Sequence, residues 1–181
     1  MTVYFWQNKK FQSYLEQNWQ RLYRLAYAWS HDPQLASDLV QEALSRSFKS
    51  HYQFENEKAL NVWLYKVLVN CWRDHHRQRK ETIDIDDAGL EAKSSPEHDH
   101  AQHQLQQQIM QAMAQLKSDH RQIITLVDLD ELNYTEVADI LGIAVGTVMS
   151  RLSRARSQLR EIIKLQMPSL AKQGADIRRI K

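Results

Sequence analysis

Residues 142–156, GIAVGTVMSRLSRAR, constrain the fold more than any other stretch of this chain. Gly142 predicts a short turn, and the helix predicted after it has an apolar stripe along one side. The members of that stripe are Val145, Val148, Leu152, Ala155 and Leu159. The opposite side and its flank carry Thr147, Ser150, Arg151 and Arg154. A helix that packs one face on its own domain and turns a basic face outward is typical of the recognition helix of a helix-turn-helix motif.

The polar side of this predicted helix favours DNA as its ligand. Serine and arginine hydrogen-bond phosphates, and arginine also reads guanine edges. No acidic residue occurs from Ala144 to Arg160, whereas arginine recurs as Arg151, Arg154, Arg156 and Arg160. The alternative is a solvated basic helix that binds a partner helix. The preceding turn and the absence of acids favour DNA over that alternative.

The composition predicts an all-α fold. The 181 residues include only 4 glycines and 3 prolines, which favours helices, and no segment alternates at period two long enough to predict a strand. Asp32-Pro33, Asn56 and Ser118 predict helix starts, and Asn133 with Glu136 predicts a capping box. Apolar residues recur at helical spacing over 11–29, 33–48, 56–79, 105–116, 118–127 and 133–165.

Charge patterning divides the chain into two small helical domains, 1–80 and 101–165, joined by a flexible acidic linker, 81–100, and followed by a tail, 166–181. The first domain carries the basic cluster Lys66, Arg73, Arg77, Arg79 and Lys80. The linker holds Glu81, Asp84, Asp86, Asp87, Glu91, Glu97 and Asp99 against Lys93 alone. Two basic patches separated by acids indicate two separate contacts with a polyanion.

Several classes of protein are disfavoured. Cys71 is the single cysteine, so no internal disulfide can form, which fits a reducing cytosol. No apolar run reaches membrane-spanning length and no signal-peptide core is present, so we expect a cytoplasmic location without membrane insertion. No nucleophile elbow, P-loop or HExxH motif appears, so neither an enzyme nor a cofactor is indicated. Cys71 with His75, or the cluster His98, His100 and His103, could ligate zinc, but no second pair of matching geometry completes a site.

The two halves of the chain each resemble a part of the bacterial sigma factors. The segment LKSDHRQIITLVDLDELNYTEVADILGIAVGTVMSRLSRAR is similar to sigma region 4. The segment DLVQE at 38–42 resembles the region 2 motif that docks on core RNA polymerase, and Trp63-Leu64-Tyr65 with Asn70 resembles the promoter-melting helix. With regions 2 and 4 and a short linker, the chain resembles the extracytoplasmic-function (ECF, group 4) sigma factors over roughly residues 11–165.

The resemblance implies that the region 2 helical bundle meets the basic coiled coil of the polymerase β′ subunit. The residues implied to bind core polymerase are Asp38, Leu39, Gln41 and Glu42. Spacings of three and four allow Asp38, Gln41 and Glu42 to share a helix face whatever the family. The alternative reading of these residues is a solvated helix face.

The residues expected to bind −10 DNA are Tyr52, Phe54, Lys66, Asn70, Arg73 and Arg77. Aromatic rings beside cations suit single-stranded DNA, where bases stack and phosphates are neutralised. The resemblance implies that the loop at 49–55 holds a base flipped out of the duplex. The Asn70 amide could pair with a base edge. Trp63 falls on the stripe of Leu60 and Leu64 and is expected in the core.

The residues expected to bind −35 DNA are Thr147, Ser150, Arg151, Arg154 and Arg156. The resemblance also implies that region 4 meets the polymerase β flap. It further implies an anti-sigma factor, often membrane-anchored, that covers the polymerase-binding faces and would hold the protein at the membrane. The acidity of the linker suggests that it mimics nucleic acid inside the polymerase and repels non-specific DNA.

The chain departs from the family pattern at four positions. Lys117 stands where a proline is usual, Met149 where a lysine is usual, and Ser37 where an acid often precedes Asp38. Ala144 replaces the usual capping serine of the recognition helix, which costs about 1 kcal/mol. Two other functions remain as alternatives: a stand-alone dimeric helix-turn-helix regulator that binds operators without polymerase, and an interaction module regulated by metal.

Overall fold

The computed structural model describes residues 9–49, 56–82 and 100–166, which are helical apart from short turns and contain no strand. The all-α prediction is therefore confirmed for this part of the chain. The helices form two compact units, one before residue 90 and one after residue 91. In chain order the helices are α1 Lys9–Ser30, α2 Pro33–Lys49, α3 Glu57–Thr82, α4 His100–Ala114, α5 Ser118–Ile124, α6 Tyr134–Leu141 and α7 Val145–Gln166.

The first unit is a bundle of α1, α2 and α3 around a shared apolar core. The side chains of Leu22, Trp29, Val40, Leu64 and Leu68 are each no more than 1% exposed. The helix starts that the sequence predicts here are confirmed. Asp32 Oδ1 accepts hydrogen bonds from the backbone N–H groups of residues 34 (2.8 Å) and 35 (3.1 Å), and Asn56 Oδ1 accepts one from residue 59 (2.9 Å). These caps fix where α2 and α3 begin.

Trp63 differs from the sequence expectation. Trp63 is only half-buried, whereas Leu60, Leu64 and Tyr65 are fully buried. The core stripe of α3 therefore runs beside Trp63 and leaves part of its ring at the surface. Trp72, which the pattern leaves undecided, is 7% exposed and lies in the core.

In the second unit, α5, α6 and α7 pack together around Ile123, Ile140, Val148 and Leu152. The predicted capping box is confirmed: Asn133 Oδ1 accepts from the Glu136 N–H (2.9 Å), and the Glu136 carboxylate accepts from the Asn133 N–H (2.9 Å). Gly142, at φ +66°, ends α6 in the left-handed region that glycine adopts without strain. The turn before α7 is thus confirmed.

The expected cap at Ser118 is wrong by one residue. Lys117 occupies the capping position with an extended backbone, and its side chain makes no capping hydrogen bond. Ser118 is already helical, so its hydroxyl is not placed as an N-cap.

A π-helical turn, Thr125–Leu129, continues α5 and was not expected from the sequence. The N–H of Asp130 donates to the Thr125 carbonyl at 3.0 Å, five residues back. The Thr125 hydroxyl lies 3.0 Å from the carbonyls of Arg121 and Gln122, which anchors the start of the wider turn. In this turn Asp128 is buried, facing α7.

Candidate protein-docking and nucleic-acid surfaces

Three of the four residues implied to bind polymerase are exposed on α2. Asp38, Gln41 and Glu42 lie on one outward face of the helix. Leu39 is 4% exposed and packs into the bundle core. The side chain of Leu39 can therefore support a docking surface from beneath by holding α2 in place, but it is not part of the exposed face.

A chain of ion pairs runs from this face of α2 to α3. Arg46 binds Glu42 (Nε–Oε1, 2.7 Å) and reaches across to Asp74 (Nη1–Oδ2, 3.0 Å). Asp74 in turn binds Arg77 (Oδ1–Nη2, 3.3 Å). The two carboxylates raise the pKa of the Arg46 guanidinium above its ordinary value. Each of these side chains is at least about one third exposed, so the series of ion pairs lies at the surface.

One face of α3 collects the residues expected to bind −10 DNA. Lys66, Asn70, Arg73 and Arg77 follow one another at spacings of four, three and four, which places them on the same side of the helix. Asn70, Arg73 and Arg77 are exposed and Lys66 is half-buried. The face thus combines three cations with one amide. Tyr52 and Phe54 lie outside the described residues.

The Cys71 thiol is buried in the first unit, and charged side chains of α2 and α3 act on it: Glu42, Arg46 and Asp74. Cys71 is 3% exposed, and burial raises the pKa of its thiol to about 11, so the thiolate that a metal requires is disfavoured. His75 and His76 pack on the Trp72 ring, with ring centroids 6.4 and 5.4 Å away. Within 9–49, 56–82 and 100–166, no group of three or more metal-ligating side chains occurs. His98 lies outside the described residues, as do the side chains of His100 and His103.

The apolar stripe of α7 is confirmed at four of its five positions. Val148, Leu152, Ala155 and Leu159 are each no more than 2% exposed. Val145 was wrongly placed in the core: it is 39% exposed, because it is the first residue of the helix and lies at the edge of the stripe. Ser150 and Arg154 are exposed, and Thr147 and Arg151 are half-buried.

The arginines of α7 differ in what they contact. Arg156 donates two hydrogen bonds to the Asp128 carboxylate, from Nε to Oδ2 at 3.0 Å and from Nη2 to Oδ1. The Asp128 side chain is only 7% exposed. These hydrogen bonds raise the pKa of the Arg156 guanidinium. Arg151 binds the exposed Asp119 (Nη1–Oδ2, 3.1 Å). Arg154 has no ion pair with any residue of the described ranges.

The sequence therefore predicted the arginines on α7, but not the acids that form ion pairs with two of them. Asp128 is 28 residues from Arg156 and Asp119 is 32 residues from Arg151. No local pattern links such distant positions. Of the residues expected to bind −35 DNA, Arg154 and Ser150 are the most exposed, and Arg156 is bound to Asp128 within its own unit. The Ser150 hydroxyl donates to the Thr147 carbonyl at 3.1 Å.

The described residues contain no helix that is both long and apolar enough to cross a bilayer.

Comparison with known proteins gives the same family for both units. The model "Sigma-70 region 2" matches residues 14–82, and "Sigma-70, region 4" matches residues 106–159. The chain is 30% identical to the ECF RNA polymerase sigma factor EcfG of Rhodopseudomonas palustris over 76% of each chain. It is also 30% identical to the ECF sigma factor SigW of Bacillus subtilis, over 78% of this chain and 82% of SigW. The sigma factor RpoE of Bartonella quintana, solved in complex with the anti-sigma factor NepR, superposes with a TM-score of 0.68 at 26% identity, covering 88% of this chain and 99% of RpoE.

Proposed function

Since the chain belongs to the extracytoplasmic-function RNA polymerase sigma factors, and so directs RNA polymerase to promoters, we propose that three helical surfaces divide this work. The exposed face of α2 docks on the polymerase, the cationic face of α3 binds −10 DNA, and α7 reads −35 DNA. The comparisons give no support to the alternative of a stand-alone regulator.

The docking proposal is carried by the exposed face of α2. Asp38 and Glu42 present carboxylates with Gln41 between them, while the apolar side of the helix is buried. An acidic face complements the basic coiled coil of the β′ subunit, and such complementarity steers association and sets its register. Leu39 contributes by packing, from inside the bundle.

The −10 proposal is supported by the single face of α3 that carries Lys66, Asn70, Arg73 and Arg77. Cations neutralise phosphates of an opened strand, and the Asn70 amide can pair with a base edge. The proposed stacking of a flipped base on Tyr52 and Phe54 belongs to residues that the structure does not describe. The proposed role of the linker also falls largely on such residues.

In the −35 proposal, α7 enters the major groove with Ser150 and Arg154 foremost. Thr147 and Arg151 lie on the flanks, where phosphates are in reach. Arg156 acts mainly by fixing α7 to the π-helical turn through Asp128. Contact of this unit with the β flap is a further part of the proposal.

An anti-sigma factor is a proposed partner. The structure of the 26% identical RpoE contains the anti-sigma factor NepR, which supports a similar partner here. Such a partner inactivates by covering the polymerase-binding faces, and a membrane-anchored one would hold the protein at the membrane. We expect the active protein in the cytoplasm, where RNA polymerase transcribes.

The first test is retention of the chain on purified core RNA polymerase. We expect the wild type to bind stably and Asp38→Lys with Glu42→Lys to abolish binding, because two like charges then face the β′ coiled coil. The matched control is Glu16→Lys with Glu161→Lys, which makes the same charge change at two exposed acids that belong to other helices, α1 and α7. Equal binding by both double variants would contradict the docking face.

A second measurement tests the stand-alone alternative. The purified chain alone should bind duplex promoter DNA weakly, and the assembly with polymerase should bind it tightly. Tight, dimeric binding by the chain alone, with no retention on polymerase, would favour the regulator.

A further inference from the structure

Two exposed apolar side chains lie at the start of α7. Val145 is 39% exposed and Met149 is 53% exposed. Since they are four residues apart on a helix, their side chains are neighbours. The buried stripe begins with Val148 on the adjacent side, so neither residue belongs to the core of its unit.

The pair lies at the end of α7 that a recognition helix presents to base edges. Ser150 is exposed directly after Met149, and Arg154 is exposed one turn further along. Gly146 is also exposed, and a Cβ added there would meet nothing within 4 Å. This side of the first turns of α7 is therefore exposed, and a groove wall can approach it closely.

Valine and methionine have no donor for phosphates or base edges. The apolar feature of the major groove is the C5-methyl group of thymine, which apolar side chains contact. We propose that Val145 and Met149 form a thymine-reading patch, which determines promoter preference by burying a thymine methyl group of the −35 element. This inference rests on the proposed placement of α7 in the major groove.

The surroundings of the patch favour DNA over a protein partner. Its neighbours on the helix surface are glycine, serine and arginine, and no acid occurs from Ala144 to Arg160. A surface of this charge complements a polyanion. An apolar pair inside such a surface adds base selectivity to an otherwise sequence-independent attraction.

The test uses the full chain assembled with core RNA polymerase. Promoter duplexes randomised over the −35 element are selected for binding, and the selected duplex is resynthesised with deoxyuridine in place of each thymidine in turn. Deoxyuridine removes only the C5-methyl group. At one or two positions we expect binding to weaken about fourfold, as for loss of one buried methyl group.

Variants of the protein test whether the thymine-reading patch causes this sensitivity to the methyl group. In Met149→Ala the difference between thymidine and deoxyuridine should disappear at the affected position. Met149→Lys should bind with less dependence on the methyl group and with a steeper loss of affinity in salt, since it adds a phosphate contact. Leu165→Ala is the control, because Leu165 is an 81% exposed apolar residue near the other end of the same helix.

The inference is overturned if deoxyuridine changes wild-type binding at no thymine, or if the methyl effect persists in both Val145→Ala and Met149→Ala. It is also overturned if Met149→Ala weakens polymerase binding and leaves DNA selectivity unaltered, which assigns the pair to a protein surface. Arg154→Ala separates these outcomes from failure of the proposed function. If Arg154→Ala loses −35 binding but deoxyuridine has no effect on the wild type, only the thymine-reading patch is contradicted. If Arg154→Ala binds the −35 element as tightly as the wild type, the proposed −35 role of α7 is contradicted.

Discussion

The two units use oppositely charged side chains in different ways. In the first unit, Glu42, Arg46, Asp74 and Arg77 form a chain of pairs at the surface. In the second, Arg156 forms an ion pair with Asp128, whose side chain is 7% exposed. Exposed pairs contribute little because water screens them, whereas breaking a buried pair leaves a charge without solvent. The first unit can therefore exchange its ionic partners, while the second uses an ion pair to hold a helix in position.

The largest expected effect comes from breaking the buried pair. Asp128→Ala should lower the free energy of unfolding of the second unit by about 2 kcal/mol, less than for a fully buried pair because Arg156 keeps partial access to water. The second unit contains no tryptophan, because all five precede residue 73 in the sequence: Trp6, Trp19, Trp29, Trp63 and Trp72. Urea unfolding should thus show an earlier transition by circular dichroism and an unchanged one by tryptophan fluorescence.

Asp119→Ala is the matched control for that comparison, since it removes the exposed partner of Arg151. We expect it to cost under about 0.5 kcal/mol. Equal effects of Asp119→Ala and Asp128→Ala would contradict the distinction between surface and buried pairs.

The next effect concerns pH and the first unit. Burial raises the pKa of Cys71 to about 11 from an ordinary value of 9.0, so the folded state keeps a proton that the unfolded chain releases. The contribution to stability is complete below pH 9 and is lost as pH rises towards 11, amounting to about 1 kcal/mol between pH 8 and pH 10. Urea midpoints by tryptophan fluorescence should fall more steeply over this range for wild type than for Cys71→Ala. Parallel slopes would show that the thiol titrates normally.

A smaller effect of opposite sign is expected at the start of α7. Ala144 accepts backbone bonds from Thr147 (2.9 Å) and Val148 (3.1 Å), but its side chain cannot cap, in contrast to Asp32 before α2. Ala144→Ser should stabilise the second unit by up to about 1 kcal/mol. Thermal unfolding followed by circular dichroism should show a higher midpoint. A lower midpoint would mean that the turn at Gly142 places residue 144 wrongly for capping.

The smallest effect should follow from removing Arg46, which lies in the middle of the series of surface ion pairs. Arg46→Ala breaks its pairs with Glu42 and Asp74, yet should change the stability of the first unit by under about 0.5 kcal/mol. Tryptophan fluorescence in urea measures it directly. A loss of stability several times larger would show that the surface ion pairs hold the first unit together, as the pair at Asp128 holds the second.

Local patterns predicted much of the fold. The starts of α2, α3 and α6, the turn at Gly142 and four of five stripe positions in α7 depend on neighbours within a few residues, and these predictions are confirmed. Ser118 was misplaced because adjacent polar residues compete for one capping position. Leu39 was grouped with its charged neighbours, although helical spacing turns it inward.

The candidate sites were predicted less completely. Asp74 lies 28 residues from Arg46, and Asp128 lies 28 residues from Arg156. The π-helical turn that presents Asp128 has no local signature in the sequence. Arg156 reads as a DNA contact when its helix is considered alone. Its partner becomes visible only after α5 and α7 are packed together.

The order of the helices also has a consequence for synthesis on the ribosome. The core of the first unit is built from three consecutive helices that are complete by Thr82, whereas α7 ends at Gln166. At bacterial elongation rates, roughly 4–17 seconds separate these two points of translation. Each nascent chain therefore passes through an interval in which the first unit can fold before α7 exists. If the proposed roles of the helices hold, a partner that recognises α2 can bind it during that interval, before the proposed −35 helix is made.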